Sequence, residues 1–203
     1  MVNKKIKDNH NIYIERMNLF KNYGLDFIKE RKKIISISKP IEGNILEIGT
    51  GKGYFTIELA KQGFNFTAID SSTEELEYAY MNLQYYNLEK NVELKAMDAE
   101  KMFFPDDSFD IIFSVGMLHH LENPFLFVDE VLRILKSSGK FIISDFSEKG
   151  FAIIQENHKK EGKIHSENST KISDIAKYID TKVLKVNYLK TDFQDTLIVN
   201  GKK

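Results

Sequence analysis

Residues Asn44 to Gly53 read NILEIGTGKG, and no other stretch of the chain restricts its fold so tightly. A short apolar run, Ile45-Leu46, meets an acid, Glu47, and glycines then fall at every second position, Gly49, Gly51 and Gly53. The periodic segment YFTIELAKQG follows at once. This is the pattern of a buried strand, a tight turn and a helix start. Glycine lets a backbone take positive φ and approach a ligand closely. The helix N-terminus adds unpaired N–H groups and a dipole that favours negative charge. In open α/β sheets, such a turn at the carboxyl end of a strand is where nucleotides bind.

The rest of the chain supplies the strands and helices such a sheet needs. Residues 9–38 read as helical, with Ile12, Tyr13, Met17 and Phe20 on one face, then Leu25, Phe27 and Ile28, and a break at Gly24. A strand at 44–48 leads to a helix at 53–62 that stops at Gly63, and FNFTAID reads as a second strand. The amphipathic run TEELEYAYMNLQYYNLEK follows, with Ser72 or Thr73 as its N-cap and acids in its first turn. VELKAMD and FDIIFSVG are strands three and four. Asn123 before Pro124 reads as the N-cap of a helix over 124–136, and SSG as a turn into the fifth strand, KFIISDF. Helices at 150–160 and 171–179 precede VLKVNYLK and DTLIVNG, two runs whose short polar connection predicts an antiparallel hairpin. Alternating strands and helices imply parallel strands with right-handed crossovers.

The spacing of the glycines departs from the dinucleotide fingerprint G-x-G-x-x-G, because Tyr54 occupies the place of the third glycine, where close helix–strand packing is needed. The run E-x-G-x-G-x-G instead resembles motif I of the class I S-adenosylmethionine-dependent methyltransferases. The string MDAEKMFFPDDSFD, leading into strand four, also looks like that family's pattern. The resemblance covers residues 40–147 most fully and the final hairpin by topology. It implies a doubly wound α/β fold, with a mostly parallel seven-stranded sheet, a C-terminal antiparallel hairpin and helices on both faces. Residues 1–39 then form an N-terminal helical lid, and residues 40–203 the methyltransferase domain.

Asp70 ends the second strand, where a carboxylate can accept from a ribose diol, with Ser71 beside it. The resemblance implies that Asp98 and Ala99 meet the adenine and that Glu47 meets the methionyl amino end. It also has Gly49, Thr50, Gly51 and Gly53 wrapping the methionyl and ribose portions, and Ser114 and Val115 lining the same cleft. His119, in GMLHHLENP, is a candidate general base or substrate-orienting residue. Asp145 ends strand five on the side expected to hold the acceptor. His158, Glu161 and His165 lie close together in HKKEGKIH and are candidates for acceptor or metal contacts, though their spacing fits no zinc signature. His119, Asp145, His158 and His165 make up the candidate catalytic set, and no metal is expected.

Composition sets the outer bounds. With 203 residues the chain is long enough for one α/β core. A formal net charge of −1 gives no electrostatic reason to expect nucleic acid or an anionic membrane. The absence of cysteine removes disulfides, thiolate metal sites and cysteine nucleophiles. The N-terminus has no apolar signal region, and no apolar run approaches the length of a bilayer span, so the expected location is the cytoplasm. Together these readings predict methyl transfer from S-adenosylmethionine to a small-molecule acceptor, with S-adenosylhomocysteine as product. The alternatives are a nicotinamide-dependent reductase or epimerase and a non-catalytic cofactor-binding protein. Tyr54 in place of the third glycine counts against the first.

Overall fold

The computed structural model describes residues 3–160, 170–182 and 184–201, the side chains of 158–160 excepted. Seven strands form one sheet: β1 (Ile45–Ile48), β2 (Phe66–Asp70), β3 (Val92–Ala96), β4 (Phe109–Val115), β5 (Leu135–Phe146), β6 (Lys185–Lys190) and β7 (Gln194–Asn200). Their spatial order is β3-β2-β1-β4-β5-β7-β6. The first five strands run parallel, and β7 pairs antiparallel with both β5 and β6. The expected fold and its terminal hairpin are both present.

Both faces of the sheet are covered, so the central strands are apolar without alternation. Ile45, Ile111, Phe113 and Ile142 face a core built with helices α1 (Lys4–Asn22), α2 (Phe27–Ile37), α3 (Tyr54–Ala60) and α4 (Thr73–Tyr85). Leu46, Ile48, Ile112 and Ile143 face the other layer, with α5 (Pro124–Ile134) and α7 (Ile172–Asp180). Helix α6 (Glu148–Lys160) follows β5 and places Ile154 in the first layer.

Several boundaries differ from the sequence reading, each for a local reason. The first helical region starts earlier, at Lys4, because the Asn3 side chain accepts from the Lys5 N–H at 3.0 Å. Helix α4 stops at Tyr85 instead of running to Lys90. Asn87 takes φ +56°, and the Leu88 and Asn87 N–H groups return to the Leu83 and Gln84 carbonyls, an αL helix ending with asparagine in the usual glycine place. Helix α5 ends at Ile134, and β5 begins at once. The register jumps from Phe109↔Leu135 to Ile111↔Lys140, so the Ser-Ser-Gly stretch bulges within a strand rather than joining two elements. Asn123 precedes α5 without capping it by its side chain. Its backbone N–H and Nδ2 donate to Glu100 instead, at 2.7 and 2.9 Å.

The N-terminal helices sit on the first layer. Helix α1 packs on α4, and α2 on α3. Tyr13, Met17, Phe20 and Phe27 are buried, whereas Ile12, read from its spacing as part of that face, is 63% exposed.

Candidate cofactor and acceptor cleft

The chain goes from β1 to its neighbour β2 on one side and later returns to β4 on the other. Strands that diverge in this way leave a crevice at their carboxyl ends. Here the ends of β1, β2, β4 and β5 open into a cleft of about 720 Å3, to which Ile48, Asp70, Val115 and Phe146 contribute.

The glycine turn lines one side of it. Gly49 and Thr50 donate their N–H groups to the Ile69 carbonyl at 2.9 and 3.1 Å, and the Thr50 hydroxyl reaches the same oxygen at 3.1 Å. Gly49 has φ +83°, and a Cβ there would come within 2.7 Å of Met117. The Gly51 N–H donates to Asp70 Oδ2 at 2.7 Å, and the Ser72 N–H to Oδ1 at 2.9 Å. Asp70 therefore fastens the turn to the end of β2 while lining the cleft. An ionised carboxylate has about four acceptor positions, so capacity for a ligand hydroxyl remains. Ser72 caps α4, its Oγ accepting from the Glu75 N–H at 3.2 Å. Ser71, Asp98 and Ala99 also line the cleft, and Asp98 accepts from the Glu100 N–H at 2.8 Å.

Four residues expected at the cleft stand elsewhere. Gly53 is the N-cap of α3 with φ +84°, and a Cβ there would lie 3.3 Å from that of Ala79, so it serves the α3–α4 contact. Ser114 shares its face of β4 with Ile112, beneath α5 and α7, and only its neighbour Val115 reaches the cleft. Glu47 lies buried just behind the lining, its Oε1 accepting from the Thr56 hydroxyl at 3.0 Å and its Oε2 without a partner. Burial pushes its carboxyl up to about 8, against the opposing pull of the Thr56 hydrogen bond and the Arg31 guanidinium.

Asp145 likewise points away from the cleft and towards a short 3-10 helix, Leu118–His120. His119 Nδ1 lies 2.9 Å from both Asp145 oxygens, and the His119 backbone N–H donates to Oδ2 at 3.0 Å. Asp145 thus acts on His119 rather than on a ligand. A carboxylate there holds the imidazole proton on Nδ1 and leaves the lone pair on Nε2. His119 is 4% exposed and lines the cleft, with Phe146 and Phe151 against its ring. Of the other candidates, the His158 side chain, Glu161 and His165 lie outside the described residues. Among the described residues no group of three His, Asp or Glu could hold a metal ion, and no helix is long and apolar enough to cross a membrane.

The N-terminal helices add residues that motif spacing does not show. Arg16 and Phe20 of α1 and Phe27 and Arg31 of α2 line the cleft together with the glycine turn. Tyr54 lines it too, its ring stacked on Tyr13 at 5.2 Å. The available signal was weak: Arg16 and Arg31 are two of three arginines in a chain with 29 Lys plus Arg.

A family model described as a methyltransferase domain matches residues 46–143, the span from β1 to β5 that builds this cleft. Residues 46–143 are a class I S-adenosylmethionine-dependent methyltransferase domain. An uncharacterised methyltransferase of Bacillus subtilis is 35% identical over 104 residues, 51% of this chain and 41% of that protein. A phosphatidylethanolamine N-methyltransferase of Cereibacter sphaeroides is 32% identical over 101 residues, 50% of this chain and 49% of its own length. The chain thus spans about half or less of the curated relatives it matches. The fold extends beyond the matched span: an S-adenosylmethionine-dependent methyltransferase from Aquifex aeolicus superposes with a TM-score of 0.65 over 83% of this chain and 88% of its own, at 20% identity. A methyltransferase domain sets aside the nicotinamide-dependent reading, in keeping with Tyr54 in place of the third glycine.

Proposed function

We propose that this chain transfers the methyl group of S-adenosylmethionine to a small acceptor held beneath α1 and α2. One observation carries the reading: a single cleft has the glycine turn and Asp70 on one side and the Asp145-held His119 on the other. The residues suit the cofactor. Space is open above Gly51, where a Cβ would meet nothing within 4 Å, and Glu47 Oε2 is a buried acceptor without a donor. Asp70 and Ser71 would hold the ribose, Asp98 and Ala99 the adenine, and Gly49, Thr50, Gly51 and Glu47 the methionyl end.

When bound, S-adenosylmethionine supplies a methyl group already activated by positively charged sulfur. The chain's own work is to orient the acceptor and exclude water. Phe20, Phe27, Tyr54 and Phe146 give the cleft apolar walls, and aromatic faces attract cations. His119 Nε2 takes the proton of an acceptor O–H or N–H, while Asp145 steadies the imidazolium that forms. Helices α1 and α2 act as the lid. The reading places the enzyme in the cytoplasm, with no nucleic acid or membrane as partner. His158 and His165 complete the proposed catalytic set on the acceptor side.

The test is to incubate the protein with methyl-labelled S-adenosylmethionine and a fractionated metabolite extract. The expected result is a labelled small-molecule product whose formation falls roughly 100- to 10,000-fold in His119→Ala. Cofactor binding with no labelled product from any fraction would favour the non-catalytic alternative. Undiminished turnover in His119→Ala would reduce that histidine to a packing residue.

A further inference from the structure

Helix α2 brings one cation into the cleft, and among the described residues no carboxylate pairs with it directly. Arg31 is 6% exposed. Its Nη1 donates to the Phe27 carbonyl at 3.2 Å, and its Nε has no partner. The guanidinium lies over the Phe27 ring at 4.4 Å and the Tyr54 ring at 5.5 Å. Among the described residues no carboxylate comes within ion-pair distance of it. Glu58, buried nearby, is occupied by Lys61 at 2.9 Å and Lys32 at 3.8 Å. Burial raises the Glu47 carboxyl and the Tyr13 phenol, which weakens the charge that either offers Arg31. Arginine does not shed its proton to escape such a site, and a buried charge without a partner is costly.

Arg133 shows how the same chain treats an arginine whose role is structural. Its Nε and Nη2 both reach Glu130 at 2.9 Å, its Nη1 reaches Asp106 at 2.8 Å, and the Phe104 and Met102 carbonyls take further bonds. Arg31 has the same fork and leaves most of it uncommitted. It faces the space bordered by Gly49, Thr50, Gly51 and Tyr54, and Glu47 Oε2 is the unpartnered acceptor behind that turn. A cation with no carboxylate paired to it and an acid lacking a donor, both beside the glycine turn, form a receptor for a zwitterionic amino-acid group.

We propose that Arg31 receives the carboxylate of the cofactor's amino-acid end, and that this bond fastens α2, and α1 packed with it, over the cleft. The inference rests on the methyltransferase reading. A planar guanidinium held against the Phe27 and Tyr54 rings is pre-set for two-pronged recognition of a carboxylate, which a lysine in its place would not reproduce. The cofactor would then order its own cover, so that its carboxylate, remote from the transferred methyl group, controls closure.

Calorimetry with two probes tests this: S-adenosylhomocysteine and its decarboxylated analogue, the same thioether carrying an aminopropyl chain. The unaltered protein is expected to prefer S-adenosylhomocysteine by at least about 10-fold. Arg31→Met should weaken S-adenosylhomocysteine roughly 10- to 100-fold and the analogue less than about 3-fold, with Arg31→Lys between. Hydrogen exchange should show S-adenosylhomocysteine, and not the analogue, slowing the amides of α1 and α2. Equal affinity of the unaltered protein for the two probes would overturn the proposal without recourse to any variant. So would an equal loss of both in Arg31→Met. Failure of the unaltered protein to bind S-adenosylhomocysteine would instead overturn the methyltransferase reading beneath it.

Discussion

Glu47 stands in a strand, ILEI, that is buried along its whole length, and its position shows how one residue can trade stability for binding. Its carboxyl is raised from 4.5 to about 8 by burial, so it stays protonated in the folded chain where the unfolded chain has ionised it. Its contribution to stability is therefore fully present below the unfolded value and is lost as pH rises towards the folded one. Unfolding with denaturant should show stability falling between about pH 4.5 and about pH 8, and Glu47→Gln should flatten that slope and leave the empty protein about 2–4 kcal/mol more stable near pH 8. A slope unchanged in Glu47→Gln would show that another group carries it. Asp70 and Asp98 make a second comparison. Asp70 holds both the glycine turn and the start of the next loop, whereas Asp98 accepts one local N–H. Asp70→Ala should cost S-adenosylhomocysteine binding about 1.5–3 kcal/mol, and Asp98→Ala less, by calorimetry. These acids were legible in the sequence because they end strands. Arg31 was not, because nothing in local spacing tells that a helix residue before the first strand returns to the cleft.

At the scale of elements, the turn between β1 and α3 depends on Gly53 for packing as much as for conformation. Alanine there would have to hold φ near +84° and press its Cβ against Ala79 at 3.3 Å. Gly53→Ala should destabilise the fold by about 1–3 kcal/mol, read from the denaturation midpoint. Because Gly53 faces α4 and not the cleft, the folded variant should keep most of its affinity for S-adenosylhomocysteine, and loss of binding at unchanged stability would return Gly53 to the cofactor. Helices α1 and α2 present a different balance. Tyr13, Met17 and Phe20 join the main core, yet Phe20 and Arg31 also wall the cleft, so a ligand there would add contacts to both helices. Their amides are expected to exchange faster than those of β1 and β4 in the empty protein and to slow on binding. Equal, strong protection in both states would make these helices ordinary core.

Over the whole molecule, binding at the strand ends draws on residues from β1, β2, β4 and β5 and from both N-terminal helices, so a ligand there resists global unfolding. S-adenosylhomocysteine at 100 times its Kd should stabilise by about 2.7 kcal/mol and raise Tm by roughly 5–10 °C, whereas NAD should leave it unchanged. A shift with NADH and none with S-adenosylhomocysteine would sink the family reading. The parallel sheet, its hairpin and the place of Asp70 and Asp98 at the cleft followed from sequence, since strand ends, glycine turns and helix starts are encoded by neighbours along the chain. The position of Asp145 did not. Whether a residue at a strand end meets a ligand or the adjoining loop depends on the face it falls on, and a single step of the pleat separates Asp145, which holds His119, from Phe146, which lines the cleft. Ser114 and Val115 differ by the same step. The sequence by itself determined which segments would fold into the sheet and where it would open. Only the tertiary structure decided which side chains share that opening, because His119 and Asp145, 26 residues apart, and Arg31 and the glycine turn are joined by packing between layers that no local pattern records.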